Sequence, residues 1–223
     1  MQFQKNSFRF LKDLQKNNNR DWFTEHKPTF VEIQKHVKEL FLEMQVNLEK
    51  HDEIDKMKIY RIYRDVRFSK DKTPYNPRLA VSFSRLGKQL RGGYFLQIKP
   101  GETLLGGGFW QPEKEDLLRI RKEIEQDATE FRDILEDKDY LKYFGGEFKG
   151  DELKSAPRGF DKEHKDIDLL RKKGFIAIRN FTDAEVLSPN FLKELDDTFK
   201  ALRPFFNLFS DVLTTNLNGE III

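Results

Sequence analysis

Residues 79–110 read LAVSFSRLGKQLRGGYFLQIKPGETLLGGGFW, and the fold class follows from this stretch. It contains three short segments of aromatic and aliphatic residues, Leu79–Phe83, Tyr94–Ile98 and Thr103–Trp110, and that composition is typical of β-strands. Glycine and proline in the two connections favour turns. Because strands with such short connections pair most simply with their neighbours in the sequence, we predict an antiparallel meander.

Helices are predicted on both sides of these strands. Apolar residues recur at spacings of three and four, which is the pattern of amphipathic helices with one buried face. We predict helices over Asn6–Lys16, Pro28–Leu48, Pro112–Asp127, Ala128–Asp137 and Pro189–Leu213, and further strands at Ile59–Tyr63 and Phe175–Ile178. Pro28 fits the first turn of its helix, and Pro204 is expected to kink the last one. The sequence thus predicts an α+β fold in which N-terminal and C-terminal helices pack on a central, mainly antiparallel sheet.

The chain shows no internal repeat, low-complexity tract or flexible linker, so we expect a single domain over residues 1–223. No apolar run approaches the roughly 20 residues that a membrane-spanning helix needs, and the N-terminus lacks the apolar block of a secretory signal. The absence of cysteine excludes disulfides, thiolate metal sites and cysteine nucleophiles. We therefore expect a cytoplasmic protein with no membrane partner.

Cofactor motifs are missing from the sequence as well. The four histidines lie far apart, without the spacing of a zinc or iron site. The glycine run at residues 106–108 has neither the Gly-x-Gly-x-x-Gly spacing nor the Gly-Lys-Ser/Thr ending of a nucleotide-binding loop. Ser82 and Ser84 lack the context of a hydrolase nucleophile. We find no metal, flavin or nucleotide motif, and the identity of any cofactor stays open.

Charge is distributed unevenly along the chain. In total, 40 Lys and Arg residues stand against 38 Asp and Glu residues. Residues 58–91 contain ten bases and two acids, a local charge of +8, whereas residues 113–139 contain eleven acids and six bases, a local charge of −5. The small overall charge is therefore compatible with a focused site for an anion in the basic segment.

The densest cluster of polar groups is RIYRDVRFSKDKTPY at residues 61–75. Arginine presents a planar fork to phosphate or carboxylate, and the proline-containing end holds this segment partly extended. The candidate ligands of an anion are Arg64, Arg67, Lys70, Lys72 and Tyr75. Asp65 and Asp71 are candidates for orienting an arginine or for acid/base chemistry, so the catalytic residues stay open. The same charges fit an internal network of ion pairs equally well, and the two interpretations are compatible.

Three further segments supply candidate ligand residues. They are Gly106, Gly107, Gly108 and Trp110, then Asn18 and Arg20, then Lys154 and Arg158. The N–H groups of the glycine run suit an anion, although a structural bulge against the tryptophan ring is the simpler explanation. Capping is the alternative role of the asparagine segment. The last pair lies in a loop that contains Pro and Gly, and this loop either reaches over a site or faces solvent.

These four segments form a specific pattern together with the strand at 93–101. It consists of FLKDLQKNNNRDWF at 10–23, RIYRDVRFSKDKTPY at 61–75, GYFLQIKPG at 93–101, GGGFWQP at 106–112 and LKSAPRGF at 153–160. On these motifs the chain resembles a widespread family of uncharacterised bacterial proteins, catalogued as domain of unknown function 2461. The resemblance covers essentially the whole chain. It implies a single domain of about this size and brings no activity with it.

Two functions from different classes fit these residues. The first is a site, for binding or catalysis, of an anionic or phosphorylated small molecule where the polar segments converge. The second is a nucleic-acid or protein interaction module on the basic 58–91 segment, in which Tyr60, Tyr63, Phe68 and Tyr75 lie beside the cations. A third interpretation assigns the charges to internal ion pairs alone. We rank the small-molecule site above the nucleic-acid module, because the aromatics are explained more simply as core.

Overall fold

Five strands form one antiparallel sheet. The computed structural model describes residues 1–216 and 220–222. The strands are β1 Ile54–Ile59, β2 Leu79–Arg85, β3 Gly93–Ile98, β4 Thr103–Phe109 and β5 Phe175–Phe181. Their order in the sheet is β1-β2-β3-β4-β5, so each strand pairs with its neighbours in the sequence, and the predicted antiparallel meander is confirmed.

Helices precede and follow these strands. Along the described residues they are α1 Lys5–Lys16, α2 Arg20–Leu48, α3 Lys114–Gln126, α4 Thr129–Glu136, α5 Lys138–Phe144, α6 Ile167–Leu170, α7 Asp183–Val186, α8 Phe191–Ala201 and α9 Arg203–Thr214. α1 and α2 come before the sheet in the sequence, and α8 and α9 come after it. The predicted α+β class, with helices at both ends of the chain, is therefore confirmed.

The start of α2 differs from the predicted boundary at Pro28. The helix begins at Arg20, because the side chain of Asn19 accepts a hydrogen bond of 2.9 Å from the backbone N–H of Trp22 and so caps the first turn. Pro28 lies inside the helix. A proline in a helix interior removes one donor and crowds the carbonyl of the residue four positions earlier, and the eight buried residues of this long helix offset that cost.

Two other observed boundaries also differ from the predicted ones. β1 ends where the first strand was predicted to begin, and the segment after it keeps only partial pairing, with a 2.9 Å hydrogen bond from the N–H of Tyr60 to the carbonyl oxygen of Ala80. The last predicted helix is divided into α8 and α9 around Leu202. Pro204 occupies the first turn of α9, where its missing N–H leaves no intrahelical bond unmade.

The chain groups into two compact units. The first unit contains residues 1–83, 95–105 and 180–197, and the second contains residues 84–94, 106–179 and 198–223. Strands β2 to β5 each contribute residues to both units. The expectation of a single domain over 1–223 stays a prediction, and the two units are described separately below.

Phenylalanine accounts for much of the core of the second unit. α9 places Phe205 and Phe209 inward, and both are fully buried. Phe209 stacks on Phe109 of β4 with ring centroids 4.9 Å apart, and Phe205 contacts Phe148 with centroids 5.3 Å apart. Packed aromatic pairs of this kind bury large apolar areas. The phenylalanine content of this charged chain is thus explained first by its core, as the helical spacing predicts.

The glycine run of β4 permits a close approach of backbones within the second unit. A Cβ atom on Gly106 would lie 2.4 Å from the carbonyl oxygen of Ala177, and one on Gly108 would lie 2.3 Å from that of Phe175. A Cβ atom on Gly107 would lie 2.6 Å from the ring of Phe206. Real Cβ atoms do not tolerate such distances, so these positions require glycine for packing of β4 against β5 and α9.

The described residues include no helix that combines the length and the apolar character needed to cross a lipid bilayer.

The replacement Gly106→Ala is expected to lower the free energy of unfolding by about 3 kcal/mol, the upper end for overpacking, because β5 must shift to admit the methyl group. Gly87→Ala is the control, because a Cβ there meets nothing within 4 Å and only the φ of +73° is unfavourable. That control should lose about 1 kcal/mol. Chemical denaturation of both variants measures the difference, and equal losses would contradict the close approach.

Candidate functional site

Residues 64–74, which we call the signature loop, leave the fold and return to it at one point in the first unit. Tyr63 and Tyr75 form an antiparallel bridge at the base of the loop. The N–H of Arg64 donates to the carbonyl oxygen of Pro74 at 2.9 Å, and the N–H of Asn76 donates to that of Ile62 at 2.7 Å. These bonds close the loop by backbone pairing at its two ends.

The three consecutive asparagines have three different roles, and one of them holds the base of the signature loop. The side chain of Asn17 donates to the carbonyl oxygen of Asp13 at the end of α1, and Asn19 caps α2. Asn18 uses both ends of its amide on Tyr75, donating to its carbonyl oxygen at 2.9 Å and accepting from its N–H at 3.1 Å. A run of three amides is therefore more than a capping motif.

Aromatic packing supports the same base. The ring of Phe23 stacks on that of Tyr75 with centroids 4.1 Å apart, and it meets Tyr63 edge-on at 5.7 Å. Tyr75 is only 5% exposed, whereas Tyr63 is 52% exposed. Burial, as the largest effect, raises the pKa of the Tyr75 phenol, and the positive charge of Arg20 opposes this rise. Asn18, Arg20 and Tyr75, which were predicted as ligands, thus lie together at the base of the loop.

Arg64 closes the signature loop from inside. Its guanidinium donates to the carboxylate of Asp71 and to the hydroxyl of Thr73, and the side chain is 22% exposed. A second oxygen of Asp71 accepts from the N–H of Thr73 at 2.9 Å and from its hydroxyl at 2.8 Å. Two of these hydrogen bonds therefore connect the two sides of the loop, and the other two hold their acceptors, Asp71 and Thr73, together.

A second pair shapes the outer part of the loop. Arg67 donates to Asp65 from two nitrogen atoms, at 2.6 Å and 3.0 Å, and both side chains are exposed. Lys72 donates to the carbonyl oxygen of Val66 at 3.0 Å. Arg64, Arg67, Lys72, Asp65 and Asp71 therefore pair with one another or with the loop backbone. This arrangement has the form of the internal ion-pair network.

The carboxyl groups of the loop respond to these partners. The backbone N–H of Thr73 and then the guanidinium of Arg64 lower the pKa of Asp71 to about 2. Hydrogen bonds from Arg67 lower the pKa of Asp65. A carboxylate whose pKa is depressed in this way is a weak general base at neutral pH. The geometry therefore supports a structural role for Asp71 more directly than the candidate acid/base role.

One large apolar side chain of the loop is exposed to solvent. Phe68 lies at the outer end of the loop and is 97% exposed, although apolar residues of this size are usually buried. Lys70, beside it, makes no side-chain hydrogen bond or ion pair within the part of the chain that the structure describes. The loop thus holds one phenylalanine in solvent next to an unpaired cation.

A groove lies where the signature loop leaves and rejoins the first unit. It has a volume of about 550 Å³ and runs between α2 and the segments on either side of the loop. Its apolar lining includes Phe30, Val31 and Leu79. Its charged lining consists of Lys35, Lys38, Arg61 and Arg78. Of the described residues that line this groove, none is acidic.

The remaining predicted ligands belong to the second unit. The glycine run 106–108 is explained by the packing of β4, as described above. Trp110 is 65% exposed and, with Gln111, lines a cavity of about 140 Å³. Gln111 has a φ of +48°, a backbone conformation that non-glycine residues rarely adopt. Lys154 and Arg158 are exposed in the loop after Asp151, which lines the same cavity. Their predicted roles as ligands stay predictions.

The sequence analysis missed Lys35, Lys38, Arg61 and Arg78 as a set. Arg61 and Arg78 belong to the basic segment, but neither was separated from its other cations. The two lysines are exposed on α2, three residues apart, next to Val31, an apolar residue that is 53% exposed. Neighbouring lysines beside an exposed valine are the one signal available in the sequence. Nothing in the sequence shows that α2 faces the ends of the loop.

The described residues contain no group of three or more His, Asp or Glu side chains that could hold a metal ion.

The fold and the site define the class of this protein: it is an α+β protein with a closed signature loop and a basic groove. The sequence pattern of one family matches residues 6–208. The chain therefore belongs to that family, which is described as conserved hypothetical protein, domain of unknown function 2461. Among curated proteins and among solved structures, no significant match was found.

The replacement Arg64→Gln is expected to raise the pKa of Asp71 from about 2 toward its ordinary value of 3.8. Because the pKa is depressed in the folded state, the interactions of Asp71 stabilise the protein above pH 3.8 and are lost as the pH falls toward 2. Carboxyl-carbon NMR titration measures the midpoint directly. Asp65 is the internal control, since it is paired with Arg67 and its midpoint should not move. An unchanged midpoint at Asp71 would contradict the role of Arg64.

Proposed function

We propose that the groove of the first unit binds a small anionic molecule that also carries an apolar group. The observation that carries the proposal is the lining: four basic residues, no acid among the described ones, and an apolar floor. Pockets of about 300–1,000 Å³ with apolar walls and a few convergent polar groups are typical ligand sites. The volume of about 550 Å³ lies in that range.

The cations of the groove differ from those of the signature loop in being available. Lys35, Lys38 and Arg61 make no side-chain hydrogen bond or ion pair within the described part of the chain. Arg78 donates to the neutral side chain of Gln97 and so keeps its charge uncompensated. Four like charges around one groove repel one another, and an anion relieves that repulsion. The charge pattern therefore favours phosphate or carboxylate over a neutral ligand.

The apolar part of the lining indicates the rest of the ligand. Phe30, Val37 and Phe41 are buried at the side of α2, and Val31 is exposed at the edge. A bare inorganic anion would leave Val31, which is 53% exposed, in water, whereas an alkyl or aryl group would cover it at about 25 cal/mol per Å². We therefore propose an amphiphilic anion, such as an organic phosphate or carboxylate, as the ligand class.

The signature loop supports this site without lining it. Arg61 lies just before the Tyr63–Tyr75 bridge and Arg78 just after it, so the closure of the loop sets the positions of both guanidinium groups. Arg64, Arg67 and Lys72 are engaged within the loop. The proposed anion therefore binds at the two ends of the sequence motif and not at its centre. The proposed function is binding rather than a reaction.

Calorimetric titration with hexyl phosphate tests the proposal, with inorganic phosphate and 1-hexanol as probes that each lack one half of the ligand. Hexyl phosphate should bind more tightly than either. Lys38→Gln and Arg61→Gln should each weaken its binding measurably, by up to about fivefold, since an exposed ion pair is worth up to about 1 kcal/mol.

The matched control is Lys56→Gln, which removes an exposed base on β1 that does not line the groove and should leave binding unchanged. Thermal unfolding of the variants shows whether each is folded. Binding of hexyl phosphate that is equally strong in Lys38→Gln, Arg61→Gln and the parent protein would overturn the proposed site.

A nucleic-acid interface is the second candidate, because three of the four aromatics that it requires are accessible. Tyr60 is 38%, Tyr63 52% and Phe68 97% exposed, and only Tyr75 is buried. Exposed rings beside cations suit stacking of single-stranded bases. Fluorescence anisotropy with labelled oligothymidylate tests it: binding should fall steeply as salt is added and should weaken in Tyr63→Ala. Binding that is absent, or insensitive to salt, would reject it.

A further inference from the structure

The exposure of Phe68 requires an explanation that the groove does not supply. The Arg64–Asp71 and Arg67–Asp65 pairs fix the loop on both sides of this residue, so the ring is held away from the protein by a defined structure. An apolar side chain that is 97% exposed gains nothing from folding. Large exposed aromatics on a fixed backbone are typical anchors of protein interfaces.

The surroundings of Phe68 define the chemistry of its partner. The signature loop has four bases and two acids, a charge of +2. The guanidinium of Arg67 lies 6.0 Å from the centroid of the Phe68 ring, and Lys70 is unpaired within the described residues. A partner that accepts this loop must offer an apolar pocket for one ring and a surplus of negative charge around it.

The chain itself carries a surface with that chemistry. A groove of about 910 Å³ lies along α3 and α9 and contains Leu118, Leu208 and Val212. Leu118 is 50% exposed, so the floor is accessible. The charged lining consists of Glu115, Glu123, Glu125, Glu130 and Asp211 with Arg119 and Lys122, a net charge of −3.

The two bases of this acidic groove are already engaged, one with a glutamate and one with a backbone carbonyl, and the net charge of the lining stays at −3. Lys122 pairs with Glu125 at 2.7 Å, and Arg119 donates to the carbonyl oxygen of Thr215. Glu115, Glu123 and Glu130 make no side-chain hydrogen bond or ion pair in the part of the chain that the structure describes. They are available to cations from another molecule.

We propose that the signature loop of one copy docks into the acidic groove of a second copy, with the Phe68 ring over Leu118 and with Arg67 and Lys70 facing the free glutamates. The charges of +2 and −3 are complementary, and among the residues that the structure describes both Phe68 and Leu118 are exposed. Different surfaces meet in this contact, so two copies that exchange it reciprocally form a two-fold dimer, and copies that do not form a ring or an open series.

Sedimentation velocity over a wide range of protein concentrations tests the association. Phe68→Ala should weaken it at least about 30-fold, which at 1.4 kcal/mol per tenfold change corresponds to the 2 kcal/mol of an interface hot spot. Raising the salt concentration should also weaken it, because the charges are exposed. A protein that stays monomeric at concentrations up to about 1 mM would overturn the proposal, because a dissociation constant above this value is weaker than that of a typical specific complex.

A complementation experiment distinguishes this contact from any other self-association. Phe68→Ala keeps its groove and Leu118→Glu keeps its loop, so each alone should be monomeric while a mixture forms a 1:1 complex that cannot grow. Val46→Glu is the control for an added charge at an exposed apolar position on α2, and it should associate like the parent protein.

The ionic part is tested by exchanging charges. Lys70→Glu and Glu123→Lys should each weaken association, and a mixture of the two variants should recover it at least in part. A mixture of Phe68→Ala and Leu118→Glu that stays monomeric, or charge variants that behave like the parent, would reject the contact. Neither outcome bears on the basic groove, because none of these four residues lines it.

Discussion

The amide of Asn18 is the contact on which both proposed surfaces of the first unit depend. It donates to the carbonyl oxygen of Tyr75 and accepts from the N–H of the same residue, so it satisfies both polar groups of one peptide position at the base of the signature loop. The ring of Phe23 stacks on that of Tyr75, so a second side chain holds the same residue. Without these contacts, the base of the loop would lose its side-chain anchor to the start of α2, and the loop ends that carry Arg61 and Arg78 would be less defined.

The charges of the signature segment divide into two groups with different consequences. Those inside the loop, such as Arg64 and Asp71, pair with each other, and these pairs determine the conformation of the loop. Those at its ends, such as Arg61, have no such partner in the described part of the chain. Counting ten bases against two acids cannot separate the groups. The distinction depends on which cations lie opposite a carboxylate, which only the closed loop determines.

The fold class, the strand order and most helices could be predicted from the sequence, because periodicity and turn residues report local structure. Pro28 was misleading, since a proline is compatible with a helix interior when packing outweighs one lost hydrogen bond. The glycine run indicated a close approach but not its partner, because Ala177 and Phe175 are distant in sequence. The groove could not be predicted for the same reason: α2 and the loop ends meet only through long-range packing.

A rigid loop allows its tip and its ends to act separately. If the loop deformed when Phe68 met a partner, the strain would reach the bridge between Tyr63 and Tyr75 and then the guanidinium groups beside it. The Arg64–Asp71–Thr73 hydrogen bonds cross the loop between these two regions and oppose that deformation. Since Asp71 keeps its charge down to a pH of about 2, this connection persists at every physiological pH. The ion-pair network is therefore the feature that makes docking at the tip compatible with a fixed anion site at the ends.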